Sequence, residues 1–194
     1  MVTRGTLSSR APHQTTGAEV GAASYRRGMS PADLLIDSLG RVLESVEAVL
    51  DGASDDLLAE RPGPDANTIA WLVWHLTRVQ DDHVASVAGS EQVWTAQGYD
   101  ARFGLPFETG DIGYGQTSAQ VAQVRASADL LADYHRATHE RSLAYFASLG
   151  ADDLDRVVDE RWDPPVTLGV RLVSVVNDCT QHVGQAAYVR GLLG

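Results

Sequence analysis

Apolar side chains recur every three or four residues along four stretches of the chain, which predicts four long amphipathic helices. We expect the first over about 31–51, the second over about 68–88 after an N-cap at Asn67, the third over about 117–149 in one or two segments, and the fourth over about 167–192. The second is the most apolar of the four, so we expect it at the centre of the fold.

The segments between these helices are short or irregular. Residues 91–116 lose the helical period and contain five glycines, a proline and aromatic side chains, which predicts a long functional loop folded back onto the body. Short acidic segments are expected at 54–60 and 152–155, and short extended pieces around 157–158 and 165–166. With few strand signals, the fold class is all-α: a four-helix bundle with a long crossover loop.

The first part of the chain has a different composition. Residues 1–28 are rich in Gly, Ser, Thr and Ala without periodicity, which predicts a disordered or extended tail. Residues 29–194 are long enough to bury one hydrophobic core and are expected to form a single domain.

Composition narrows the functional classes. The net charge is −11 and every fixed cation is an arginine, which argues against nucleic acid as a partner. No apolar run approaches the roughly 20 residues of a membrane span, and no secretory signal is evident. The only cysteine, Cys179, excludes an intrachain disulfide and is expected to be a small buried residue. We therefore expect a cytoplasmic protein that does not bind membranes.

A carboxylate and an imidazole stand in apolar surroundings on the predicted fourth helix. Asp178 and His182 are four residues apart and so share one helical face. Burying both is costly unless something compensates them, and a metal ion would do so. His75 on the second helix shares a face with apolar residues and is the candidate third ligand. Two histidines and one carboxylate leave coordination positions open, as a catalytic zinc, iron, nickel or manganese site requires; zinc is the first choice.

Two segments carry a resemblance to a known family. The sequences Asn-Thr-Ile-Ala-Trp-Leu-Val-Trp-His-Leu (67–76) and Asp-Cys-Thr-Gln-His-Val-Gly-Gln (178–185) resemble the DinB-like superfamily, in particular its actinobacterial branch with mycothiol-dependent enzymes. The resemblance implies a four-helix bundle, often a homodimer, with metal ligands at His75, Asp178 and His182. Many members have histidine where this chain has Asp178, and the maleylpyruvate isomerases have glutamate.

The resemblance also implies an activity. It suggests a metal-dependent enzyme that activates a low-molecular-weight thiol, with mycothiol as co-substrate, for S-transfer to a small electrophile or its isomerisation. An alternative is a non-catalytic, metal-stabilised binding or stress-response protein with the same fold. A third hypothesis is that Asp178 and His182 are hydrogen-bonded in the core without any metal.

Other polar residues are secondary candidates. Arg78 and Arg171 lie on the same helical faces as the candidate ligands and are candidates for binding a substrate carboxylate, with a salt bridge as the simpler interpretation. Asp82 and His139 are candidates for orienting the ligands from a second shell. His135 and His139 are also four residues apart, but their charged neighbours favour a solvated pair.

Overall fold

Four long helices form the frame of the protein, whose computed structural model describes residues 28–194; the predicted tail up to residue 27 lies outside this range. In chain order the helices are α1 (Pro31–Leu50), α2 (Asp55–Ala59), α3 (Ile69–Ala88), α4 (Val93–Ala96), α5 (Tyr99–Phe103), α6 (Ser118–Val121), α7 (Ala128–Ala147) and α8 (Leu168–Leu193). A 3₁₀ helix spans Ala151–Asp155, and the strands are β1 (Val157–Asp159) and β2 (Val166–Thr167).

A hydroxyl side chain begins each long helix, where it accepts a hydrogen bond from an otherwise unpaired backbone N–H. These N-caps are Ser30, Thr68, Ser127 and Thr167. The cap predicted at Asn67 is therefore wrong by one residue, because it is the Thr68 hydroxyl that accepts from the Trp71 N–H at 3.1 Å.

The helix α3 lies at the centre, as its apolar sequence predicted. Every residue from Ile69 to Asp81 is buried, and α3 packs against both α7 and α8, while α1 packs against the other sides of α7 and α8. This arrangement confirms the all-α four-helix bundle. No helix in the described range is long and apolar enough to cross a membrane.

The irregular region between α3 and α7 folds onto the bundle. It contains α4 and α5, whose Trp94, Tyr99 and Phe103 are buried in the core cluster, as expected from the aromatic content of this region. Tyr114 departs from that expectation, because 90% of it is exposed. The predicted third helix is divided into α6 and α7, and the predicted extended pieces pair as the antiparallel strands β1 and β2.

The two histidines of α7 are buried, so the predicted solvated pair is wrong. His135 is fully buried and His139 nearly so, because the charged residues beside them in sequence point to other faces of the helix. The Thr77 hydroxyl donates to the Val73 carbonyl, so the His135 Nδ1–H donates to Thr77 Oγ1 at 3.1 Å. Burial lowers the pKa of His135 to about 3.

His135 should make folding stability depend on pH. Its pKa is depressed in the folded protein, so as pH falls below about 6.5 the unfolded chain takes up a proton that the folded protein does not. Between pH 7.5 and pH 5 this costs up to about 2 kcal/mol. His135→Asn keeps a donor toward Thr77 and removes the titration, so urea unfolding should show a pH dependence weaker by up to that amount. An unchanged difference between the two pH values would contradict this assignment.

Candidate metal centre

His75 and Asp178, which are 103 positions apart in the sequence, meet where α3 contacts α8. His75 of α3 and the pair Asp178 and His182 of α8 each offer one ligand atom, and these atoms lie within 4.8 Å of one another. His75 is buried and the other two are half-buried, which places the group at the edge of the core. Helix spacing brings Asp178 and His182 onto one face, and the packing of α3 against α8 supplies His75.

Hydrogen bonds fix which nitrogen of each histidine is free. The Nδ1 atom of His75 lies 2.5 Å from the Ile112 carbonyl oxygen, and that of His182 lies 2.9 Å from the Asp178 carbonyl oxygen. A carbonyl only accepts, so each Nδ1 carries the proton and each Nε2 keeps its lone pair. Metal-binding histidines are typically oriented by such a bond from the other ring nitrogen.

Asp178 supplies an unpaired anionic oxygen. Its Oδ1 is buried and makes no hydrogen bond, and the His182 Nδ1 atom lies 3.3 Å from it. Burial opposes ionisation, but the contacts with His182 and the proximity of His75 outweigh it and hold the pKa of Asp178 below its ordinary value. A buried ionised oxygen without a partner favours a bound cation.

The two histidines respond to this carboxylate differently. Burial lowers the pKa of His75, and the hydrogen bond with Ile112 offsets this only partly. The lowered pKa keeps the imidazole neutral. Burial also acts on His182, but the adjacent Asp178 outweighs it and raises the pKa of His182. Two imidazole nitrogens and a carboxylate oxygen are a donor set that fits zinc, and the residues present therefore fit a divalent ion.

The loop formed by residues 109–116 is fastened along one face of α3. Trp71, His75 and Arg78 follow at helical spacing, and each bonds to this loop: the Trp71 Nε1–H donates to Gln116 Oε1 at 2.7 Å, and the Arg78 Nε–H donates to the Asp111 carbonyl at 3.3 Å. The Trp71 ring also stacks on the His75 ring, with centroids 4.6 Å apart. The loop and Trp71 thus hold the His75 imidazole from both sides.

Gly113 lets this loop approach His75. Its φ is +91°, and a Cβ at this position would stand 2.8 Å from the His75 Nδ1 atom and 3.0 Å from the Trp74 ring. Only glycine meets both requirements. The sequence showed the loop glycines as breaks in helical periodicity, but it gave no sign that one of them borders a ligand.

The structure places Arg78 and Asp82, two secondary candidates, away from their predicted roles at the site. Arg78 is 0% exposed, and its guanidinium donates to Gln92, Tyr134 and loop carbonyls, so its burial argues against the predicted role in substrate binding. Asp82 accepts from Gln92 and lies 3.5 Å from the Nδ1 atom of His83, not beside the three ligands. Their predicted roles gain no support from this geometry.

Two other candidates differ in their relation to the site. His139 lies beside His135, with ring centroids 6.5 Å apart, outside the three-ligand group, and its second-shell role stays a prediction. Arg171 lines the same pocket as Asp178, and its role in substrate binding stays a prediction. Cys179 is buried, as expected, and burial raises the pKa of its thiol well above its ordinary value, which disfavours the thiolate that a nucleophile needs.

Comparisons with known proteins agree with this fold. A structure described as the conserved protein of a locus from Enterococcus faecalis matches with a TM-score of 0.79 and 32% identity, over 86% of this chain and 98% of that one. A comparison with curated protein sequences gives no significant match. A family model described as mycothiol-S-transferase matches residues 34–194.

The helical bundle and its histidine–carboxylate group define a protein of the DinB-like class. Since the family model spans nearly all of the described residues, the chain belongs to the mycothiol S-transferase family.

Replacement of Gly113 should weaken metal binding by way of His75. Gly113→Ala places a methyl group against the His75 ring, and disturbing such a supporting contact typically lowers metal affinity 10–100-fold. Gly115→Ala is the matched control: its φ is +73°, so the backbone strain is similar, but nothing lies within 4 Å of the added Cβ. Competition with a chromogenic chelator measures the affinities, and equal affinities for the two variants would contradict the role given to Gly113.

Proposed function

We propose that the protein is a metal-dependent enzyme that activates a low-molecular-weight thiol, mycothiol, for S-transfer to a small electrophile or for its isomerisation. The observation that carries this proposal is the donor set: two histidines with free Nε2 atoms and one carboxylate with an unpaired buried oxygen. Membership of the mycothiol S-transferase family supports the choice of thiol.

His75, Asp178 and His182 would hold the metal, with zinc as the first choice and nickel, iron or manganese as alternatives. A divalent ion bound there supplies a Lewis acid that lowers the pKa of a thiol and makes the thiolate available at neutral pH. Three protein ligands leave a position for the sulfur, as catalytic sites require.

The chain's own groups prepare this site. The Ile112 and Asp178 carbonyls hold the two imidazoles in the tautomer that presents Nε2. The Asp178 carboxylate contributes the negative charge, and Trp71 covers one face of the His75 ring and limits access of water. The hydrogen bonds and the ring stacking orient these groups before a thiol arrives, which is the advantage of a preorganised site.

Two further proposals concern the oligomeric state and the cellular compartment of the enzyme. Large apolar side chains remain exposed along α8, including Val173, Tyr188 and Leu192, and a second copy in a homodimer would cover such a surface. We also place the enzyme in the cytoplasm, where low-molecular-weight thiols are kept reduced.

Removal of any one ligand should abolish stoichiometric metal binding. His75→Ala, His182→Ala and Asp178→Asn should each lower affinity more than about 100-fold, beyond the loss expected for a supporting residue. His83→Ala is the control, because His83 is half-buried at the same helix interface but is not one of the three ligands. Elemental analysis of untagged protein gives the stoichiometry, and full metal content in the three ligand variants would overturn the assignment.

Turnover should require both metal and thiol. With mycothiol and an electrophilic dye such as monochlorobimane, the metal-loaded protein should form the conjugate well above the uncatalysed rate, and a chelator should remove the excess. Restoring zinc should restore the rate, because the ligand geometry belongs to the protein. Bound metal without thiol-dependent conjugation or isomerisation would favour the alternative of a non-catalytic metal-stabilised binding protein.

A further inference from the structure

A pocket of about 370 Å³ opens beside the candidate metal centre. One wall is apolar and is formed by Trp162, Val166 and Val170. The other side carries His83 and Arg171, and Asp178 reaches the pocket as well. The pocket therefore shares one residue, Asp178, with the candidate metal centre, so a molecule bound in it would lie near a thiol activated there.

The apolar wall is poorly covered by the protein itself. Trp162 is 65% exposed and Val170 is 54% exposed, although both are large hydrophobic side chains. The strand connection that follows Asp159 presents Trp162, and the first turn of α8 presents Val170. A flat apolar group lying against them would remove both from water, which is the usual source of affinity in small-molecule sites.

A positive charge lies at the edge of this wall. Arg171 and Arg161 both bond to the carboxylate of Asp159, at 3.0 and 2.9 Å, and one carboxylate cannot neutralise two guanidinium groups. Arg161 is mostly exposed, whereas Arg171 is largely buried at the pocket. Asp82 lies 3.5 Å from the same His83 Nδ1 atom that Arg171 approaches at 3.3 Å, and it reduces this positive charge. Asp178 also lines the pocket, and the metal proposed to bind there would offset its negative charge.

Arg171 retains donors for a ligand. One of its N–H groups bonds to Asp159 and another lies 3.3 Å from the His83 Nδ1 atom, while a guanidinium has five. The remaining donors fit a carboxylate, the anion whose geometry matches the arginine fork.

We propose that this pocket is the site of the second substrate, and that this substrate is an electrophile with a flat apolar body and one carboxylate. The inference rests on the proposed transferase function. The apolar body lies against Trp162 and Val170, and the carboxylate bonds to Arg171.

An α,β-unsaturated ketone bearing a carboxylate is a suitable member of this class. The thiolate sulfur forms a bond to the β-carbon, and the π electron pair of the double bond moves to the α-carbon. The proton released by the thiol is returned to the α-carbon by way of water, so nothing leaves and no oxidant is needed.

Binding is tested without thiol, using the unreactive acid 3-benzoylpropionate and its neutral methyl ester on the zinc-loaded protein. Isothermal titration should show the acid binding about tenfold more tightly than the ester, which is the effect of one charge-assisted contact. Arg171→Gln should remove this preference, and Trp162→Ala should weaken both ligands alike. Arg41→Gln, an arginine paired with Asp37 on the outer surface of α1, is the control and should change neither.

The contrary results are equally specific. Equal binding of acid and ester by the native protein, no binding of either, or a retained preference in Arg171→Gln would each overturn the proposal. Thermal unfolding of each variant establishes that the folded protein is being measured.

Turnover separates this proposal from the function on which it rests. With mycothiol, 3-benzoylacrylate should have a KM about tenfold lower than its methyl ester, and Arg171→Gln should raise only the KM of the acid. Preferential binding of the acid without any turnover would support the proposed binding pocket and contradict the proposed transferase function. Equal turnover of acid and ester, unaffected by Arg171→Gln, would support the transferase function and contradict the proposed binding pocket.

Discussion

The position of His75 depends on a loop closing over the central helix. The Ile112 carbonyl accepts from the His75 Nδ1–H, and Gly113 allows the loop backbone to come close enough for this bond. The Trp71 ring stacks on the His75 ring. Arg78 and Trp71 fasten the same loop one turn to either side. Without this closure the imidazole would lose its defined tautomer, and the candidate metal centre would lose a preorganised third group beside Asp178 and His182.

The burial of Arg78 has a clear physical basis in this arrangement. A guanidinium without water is tolerated only when its donors are satisfied, and here Gln92, Tyr134 and the carbonyls of the loop satisfy them. The Trp94 ring adds a cation–π contact at 4.8 Å. Asp81, in turn, accepts from the Val93 and Trp94 backbone and from the Tyr134 hydroxyl. This polar network joins α3, α4 and α7 and supports the loop that holds the ligand.

The helices and the paired ligands were predictable because their signals are local. Leucine and valine at helical spacing mark the faces that become buried, and a spacing of four places Asp178 and His182 together whatever else the chain does. The supporting contacts were not predictable in this way. The bond from His75 goes to a backbone carbonyl, which any residue type offers, and the partners of Arg78 lie up to 56 residues away. The histidines of α7 were misjudged because neighbours in sequence occupy other faces of the helix.

The proposed mechanism requires that His75, Asp178 and His182 hold a metal to which a thiol sulfur binds. X-ray absorption of the zinc-loaded protein, recorded with and without mycothiol, tests it most directly. The free protein should show nitrogen and oxygen ligands at about 2.0–2.2 Å, and mycothiol should add one sulfur at about 2.3 Å. A nitrogen and oxygen shell that does not change at saturating mycothiol would contradict the account.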